Sequence, residues 1–179
     1  ISSDKDFFQL LGPDNVVLYR PIQKQFLNRM RILEEYGIHP TNFAMARAMV
    51  GDPSDNLAGI RGIGLPTVSK RLTFMKEEKS FTFSDIYDHC ENVEKKLKIH
   101  TNILENKAVI EDNYRLMQLY SPSISVQSKE KIKYTLENAD MGFNKTGVTK
   151  IMYEIGFGEL NWSDLAATMR RISLENSGN

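Results

Sequence analysis

The sequence has one cysteine, Cys90, among 179 residues, so it cannot close an internal disulfide, and a reducing, intracellular setting such as the cytoplasm is the expectation. Its three histidines, His39, His89 and His100, are scattered and give no zinc-ligand spacing with that lone thiol. No apolar run approaches the length of a membrane span, and the first residues do not resemble a signal peptide. Net charge is lacking too: 23 basic and 23 acidic residues cancel, so any contact with a polyanion must come from local patches. There is no internal repeat and no low-complexity tract. What remains is a chain with 41% hydrophobic residues, enough to bury a real core over one domain or one and a half.

The stretch from Ala48 to Thr67 stands out because it joins two carboxylates to a glycine-rich turn. Asp52 can act as a helix N-cap, with Pro53 at the first helical position and Asp55 completing an acidic capping box. Gly59, Gly62 and Gly64 then place three residues without Cβ atoms in six positions, which permits left-handed backbone and close approach to another surface. Leu65, Val68, Leu72 and Met75 recur at helical spacing after Pro66 and Thr67, so the turn opens a helix whose positive end can face an anion. A plain tight turn anchored by Ile60 and Ile63 is the simpler reading, and it stays open. The dinucleotide fingerprint does not apply, because the glycines are in the wrong order and no strand precedes them.

Along the rest of the chain, Ile1 to Leu11 reads as a strand terminus, an acidic turn and a short helix stopped by Gly12-Pro13. Val16 to Arg20 is the best strand candidate. Helices are expected over 25–36, from Pro40 to Gly51, from the glycine turn to about Lys76, from a Ser84-Asp85 cap, and as one long element from Ile99 to Leu119 stopped by Ser121-Pro122. Lys129 to Leu136 fits strand or helix equally. Two helices, 144–155 and 163–172, close the chain around the Gly156-Phe157-Gly158 turn, with Trp162 as a packing anchor before the second and a frayed end at Ser177-Gly178-Asn179. The fold class expected is mainly α, and the chain reads as beginning within a larger domain.

Asp4 and Asp6, like Asp52 and Asp55, follow a buried element and precede a helix, so both pairs read as caps or as ligands. Four carboxylates meeting in one place would need cations to neutralise them. Oxygen donors without histidine or thiolate select Mg²⁺ or Mn²⁺. Such ions beside a phosphate cradle suggest phosphodiester hydrolysis with two metals roughly 4 Å apart. Arg61, Lys70, Arg71, Lys76 and Lys79 form a modest basic patch of the kind that positions a backbone without reading bases. Lys95-Lys96-x-Lys98 reads as a solvated face.

Ser3-Asp4-Lys5-Asp6 with Gln9-Leu10, followed by Gly51-Asp52-Pro53-Ser54-Asp55-Asn56-Leu57-x-Gly59-Ile60-x-Gly62-Ile63-Gly64, closely resembles the structure-specific 5′-nuclease (flap endonuclease) family. That family includes phage 5′ to 3′ exonucleases and the nuclease domain of DNA polymerase I, and the looser tail looks more phage-like. The match is specific over about the first 75 residues. The resemblance implies that residues 1–36 are the C-terminal strands of a PIN-like α/β nuclease core, 37–122 a helix-three-turn-helix DNA-binding region and 123–179 a C-terminal helical region. It places Asp4, Asp6, Asp52 and Asp55 on metal-site positions, mainly those of the second of two Mg²⁺ or Mn²⁺ ions. It places Gly59, Arg61, Gly62, Gly64, Thr67, Lys70 and Arg71 on the duplex backbone, with a K⁺ ion at the turn carbonyls. The implied partner is DNA with a 5′ flap or nick, or an RNA/DNA hybrid, met in replication or repair by a monomer with no membrane role; replication proteins would be further partners. Two departures stand against it: Leu65-Pro66 replaces the lysine common after the third glycine, and the N-terminal half with the helical arch and the other acidic ligands is absent from the sequence. A duplex-binding module without catalysis is the alternative, and a helical interaction domain in which every Asp is a cap is a third reading.

Overall fold

A computed structural model describes residues 1–121, 124–138, 144–158 and 161–176. Pro122, expected to stop a helix, and the terminal Ser177-Gly178-Asn179 lie outside the described residues. The chain divides into two compact units, Ile1–Pro122 and Ser123–Asn179.

The first unit is mainly helical, with one small sheet near its start. Ser2 donates its amide to the Tyr19 carbonyl at 3.0 Å, which sets the opening residues beside strand β1 (Leu18–Arg20). β1 pairs antiparallel with β2 (Gln25–Leu27), Leu18 opposite Leu27 and Tyr19 opposite Phe26. The helix expected from Gln25 therefore starts later, as α1 (Arg29–Tyr36). Phe26 is drawn into the sheet by Tyr19, their rings 4.8 Å apart, and Asn28 caps α1 by accepting from the Arg31 amide. Gly37 closes α1 in the left-handed conformation.

After a 3-10 turn at Pro40–Asn42 comes α2 (Phe43–Val50), whose residues 43 to 49 are all buried. This is the central helix, and the later helix Lys107–Met117 packs along it. Phe8, Tyr36 and Phe43 interlock near it with ring centroids 5.2 to 5.6 Å apart. A 3-10 turn, Pro53–Asp55, leads to the glycine turn, then α3 (Leu65–Arg71) and a further 3-10 turn, Thr73–Lys76. Ile60 and Ile63 are buried, as their role as anchors requires.

The cap of α4 (Phe83–Asn92) is Thr82, two residues before the expected Ser84. Thr82 accepts from the Asp85 amide and gives its own amide to the Asp85 carboxylate, a reciprocal pair that outcompetes Ser84. The single helix expected from Ile99 is two, α5 (Lys98–Glu105) and α6 (Lys107–Met117). Asn106 breaks it: its side-chain amide takes the Asn102 carbonyl at 2.7 Å, while its backbone amide turns to Ile103.

In the second unit, α7 (Val126–Glu137) resolves the ambiguous segment as helix, capped by Ser125. α8 (Lys145–Glu154) is capped by Asn144, and α9 (Trp162–Asn176) begins at the tryptophan itself. Trp162 is half-buried, with the Lys145 ammonium 5.6 Å from its ring. Neither α7 nor α8 has a buried residue; the described hydrophobic core ends at Met117.

Candidate functional site

The carboxylates come first. Asp4 caps the 3-10 turn Lys5–Leu10, its Oδ1 accepting from the Asp6 amide at 2.9 Å. That turn aims Asp6 inward, where its Oδ1 accepts from Arg47 Nε at 3.1 Å. Arg47 projects from α2 and reaches the other acidic segment as well: Nη2 donates to Asp52 Oδ2, and Nη1 lies 3.4 Å from the Gly51 carbonyl. Asp52 caps its own 3-10 turn, with Oδ1 accepting from the Ser54 amide at 2.9 Å and hydroxyl at 2.5 Å. Two acidic segments 46 residues apart (52 minus 6) thus share one guanidinium.

The two carboxylates titrate in opposite directions. Burial pushes Asp6 up, against the pull of Arg47, and the neighbouring charges of Asp4 and Asp52 push the same way. Asp52 is held down at about 2, chiefly by the Ser54 hydroxyl and, with it, Arg47. Burial works against the Arg47 charge, but the hydrogen bonds to Asp52 and Asp6 outweigh it and raise its pKa. Asp55 shares the turn with Asp52, and its side chain joins no ion pair among the described residues. Among the described residues, no group of three or more His, Cys, Asp or Glu side chains is placed to hold a metal. The carboxylates that meet are Asp6 and Asp52; Asp4 adjoins them through its charge.

The glycine turn is locked to α2. A Cβ on Gly59 would stand 1.7 Å from the Val50 carbonyl oxygen, and one on Gly51 would meet the Gly59 amide at 2.3 Å, so the two backbones touch where no side chain fits. Ile60 donates to the Met49 carbonyl at 2.8 Å. Gly62 is left-handed at φ 79° and faces open space, while Gly64 adopts an ordinary extended conformation and caps α3 without a side chain. Thr67 and Val68 give their amides to the Gly64 carbonyl, and Pro66 has none. The amides of Arg61, Gly62, Gly64 and Leu65 have no backbone carbonyl partner among the described residues.

A cleft of about 850 Å³ opens beside this turn. Arg61, Gly62, Thr67 and Arg71 line it together with Lys98 and Asn102 of α5 and with Asn106, which follows α5; Asn102 Nδ2 lies 3.5 Å from the Arg61 carbonyl. Among the described residues three cations, Arg61, Arg71 and Lys98, and no carboxylate line it. Lys70 is exposed on α3 outside the cleft lining. Sequence reasoning missed three residues of this arrangement. Lys98 was hidden in a charge run that looks solvated, and Asn102 carries no sequence signal at all. Arg47 had one: it is the single charge in an apolar helix, Phe43-Ala-Met-Ala-Arg47-Ala-Met-Val50.

The chain matches no protein-family model. In sequence it is similar to the 5′-3′ exonuclease of Buchnera aphidicola subsp. Schizaphis graminum, 28% identical over 151 residues, 84% of this chain and 49% of that protein. It is similar to the 5′-3′ exonuclease of Aquifex aeolicus, 27% identical over 132 residues, 74% of this chain and 42% of that protein. The thermostable DNA polymerase I of Thermus thermophilus is 34% identical over 100 residues, 56% of this chain and 12% of that enzyme. The chain thus spans about half the length of the exonucleases it matches, 49% and 42%. In structure it shares the fold of a T5 5′-exonuclease mutant, TM-score 0.53 at 22% identity over 65% of this chain and 45% of that one. A T5 protein co-crystallised with metal ions aligns with TM-score 0.58 at 21% identity over 78% of this chain and 53% of that one.

Proposed function

From this kinship to 5′-3′ exonucleases in sequence and to a 5′-exonuclease in fold, we propose that the chain is the duplex-gripping, metal-facing part of a DNA phosphodiester hydrolase that works at 5′ ends, flaps or nicks. RNA/DNA hybrids are substrates on the same grounds of backbone contact, and the setting is replication or repair. The observation that carries the proposal is the convergence of Asp6 and Asp52 at one guanidinium, directly before a turn that feeds a cationic cleft. Gly62 and Gly64 bring main chain close to the strand, whereas Gly59, expected there too, is taken up by its backbone contact with Val50 of α2; Arg61, Thr67, Arg71 and Lys98 supply the phosphate contacts, with Lys70 at the margin.

The donor set fits a hard divalent ion, Mg²⁺ or Mn²⁺, in kind, since Asp4, Asp6, Asp52 and Asp55 offer oxygen only. In number it falls short: a pair of carboxylates on one arginine is fewer than such an ion takes, so a complete site requires further ligands. The test uses the full-length protein and a labelled 5′-flap DNA in Mg²⁺. Changing Asp52 and Asp55 to Asn should cut cleavage roughly a hundredfold or more while leaving duplex binding intact. Undiminished cleavage would refute their metal role, and binding without any cleavage by the parent would identify a non-catalytic duplex module.

A further inference from the structure

Gln9 lies in the acidic opening run, yet neither the carboxylate pair nor the cleft uses its side chain. It is 1% exposed, and a buried amide is costly unless its polar atoms find partners. They do. Nε2 donates to the Asp6 carbonyl at 2.8 Å and to the Met117 carbonyl at 3.0 Å, and Oε1 accepts from the Leu119 amide at 2.8 Å. The Tyr120 hydroxyl donates to the Gln9 carbonyl. One residue thus closes the C-terminal end of α6, where the last carbonyls have no helical donor, and clamps it to the turn that bears Asp6.

The same helix is anchored at a second point. Asn113, four residues before Met117 and so on the same face, donates to the Ala48 and Ala58 carbonyls, at the end of α2 and the approach to the glycine turn. α6 is therefore a strut between the acidic turn and the glycine turn. Arg47 holds Asp6 by its carboxylate, at the free end of a side chain; Gln9 holds it by its main chain. A 3-10 turn has poorer hydrogen-bond geometry than an α-helix, so an outside hold on its backbone matters more.

We infer that Gln9 is a positioning residue: it fixes the main chain of Asp6 to α6 and thereby sets where the Asp6 carboxylate stands relative to a strand gripped at the cleft. The inference rests on the nuclease reading proposed above. Gln9 lines no part of the cleft, so its loss falls on turnover and not on duplex binding.

The experiment measures kcat and KM of the full-length protein on labelled 5′-flap DNA in Mg²⁺, with circular dichroism to establish that each variant is folded at the assay temperature. Gln9→Met keeps the length of the side chain and removes its three hydrogen bonds. It should lower kcat about tenfold, because a small displacement of a reacting group costs that much or more, while KM stays within about twofold. Tyr120→Phe removes one hydroxyl from a ring that is 56% exposed and should lower kcat about threefold in the same sense. A merely structural glutamine gives a different signature: a lower melting temperature, with parental kcat wherever the variant is folded. A folded Gln9→Met with parental kcat, or with its loss confined to KM, overturns the inference and leaves the nuclease reading standing. If Gln9→Met does not fold, Tyr120→Phe decides, and parental kcat there overturns the inference. A parent that binds the flap DNA without cleaving it overturns the nuclease reading and this inference with it.

Discussion

Asp6 and Asp52 touch the same arginine and yet titrate in opposite senses, because burial dominates one and the Ser54 hydroxyl dominates the other. The consequence for stability follows from the sign of each shift. Asp52, depressed to about 2, contributes stability that is present above the ordinary aspartate range and is lost as pH falls through about 2. Asp6, raised, has the opposite sense: the fold favours its protonated form, and its charge is unfavourable as pH rises through its folded pKa. Asp52→Asn should therefore flatten the fall in melting temperature between about pH 4 and pH 2, measured by thermal circular dichroism across that range. An acid limb superimposable on that of the parent would show that Ser54 and Arg47 do not hold the Asp52 charge.

Between elements, the tie that matters is Asn113. From α6 its side-chain amide donates to the Ala48 carbonyl at 3.0 Å and the Ala58 carbonyl at 2.9 Å, so one group joins the end of α2 to the approach of the glycine turn. Asn113→Ala should cost about 1–3 kcal/mol in denaturant unfolding, because it leaves two sequestered carbonyls without that donor. The loss should be local as well as global, with faster hydrogen exchange at the Ile60 and Ile63 amides, which close the turn onto Met49 and Ile60. Unchanged exchange there would place the rigidity of the turn in its glycine contacts with α2 alone.

Over the whole molecule, formal charge is zero, so binding to a polyanion depends on where charge is concentrated. The cleft concentrates it: Arg61, Arg71 and Lys98 converge with no acid among the lining residues. Replacing all three by Ala should weaken duplex DNA binding across sequences alike and flatten the slope of log affinity against log salt by about 2.7, at roughly 0.9 per phosphate contact. An unaltered slope would take the cleft out of the interface. All of these residues belong to the first compact unit, which also holds the whole described hydrophobic core. No helix among the described residues is long and apolar enough to cross a membrane.

Sequence by itself determined what depends on local chemistry. Gly37 ends α1, Pro40 and Pro53 start 3-10 turns, Asp4 caps the turn Lys5–Leu10 and Asp52 the turn Pro53–Asp55, and the apolar spacing of 43–49 makes a helix. It also carried the resemblance, since the acidic pairs and glycines lie in short contiguous runs. Only the tertiary structure decided which carboxylates meet. Arg47 satisfies its charge by reaching Asp6 and Asp52 at once, and no spacing encodes a partner 41 residues away (47 minus 6). The second wall of the cleft was hidden for a related reason. Lys98 and Asn102 reach the glycine turn because Asn106 breaks the helix and Asn102 lies against Arg61, a packing outcome that polar residues on a helix surface do not announce.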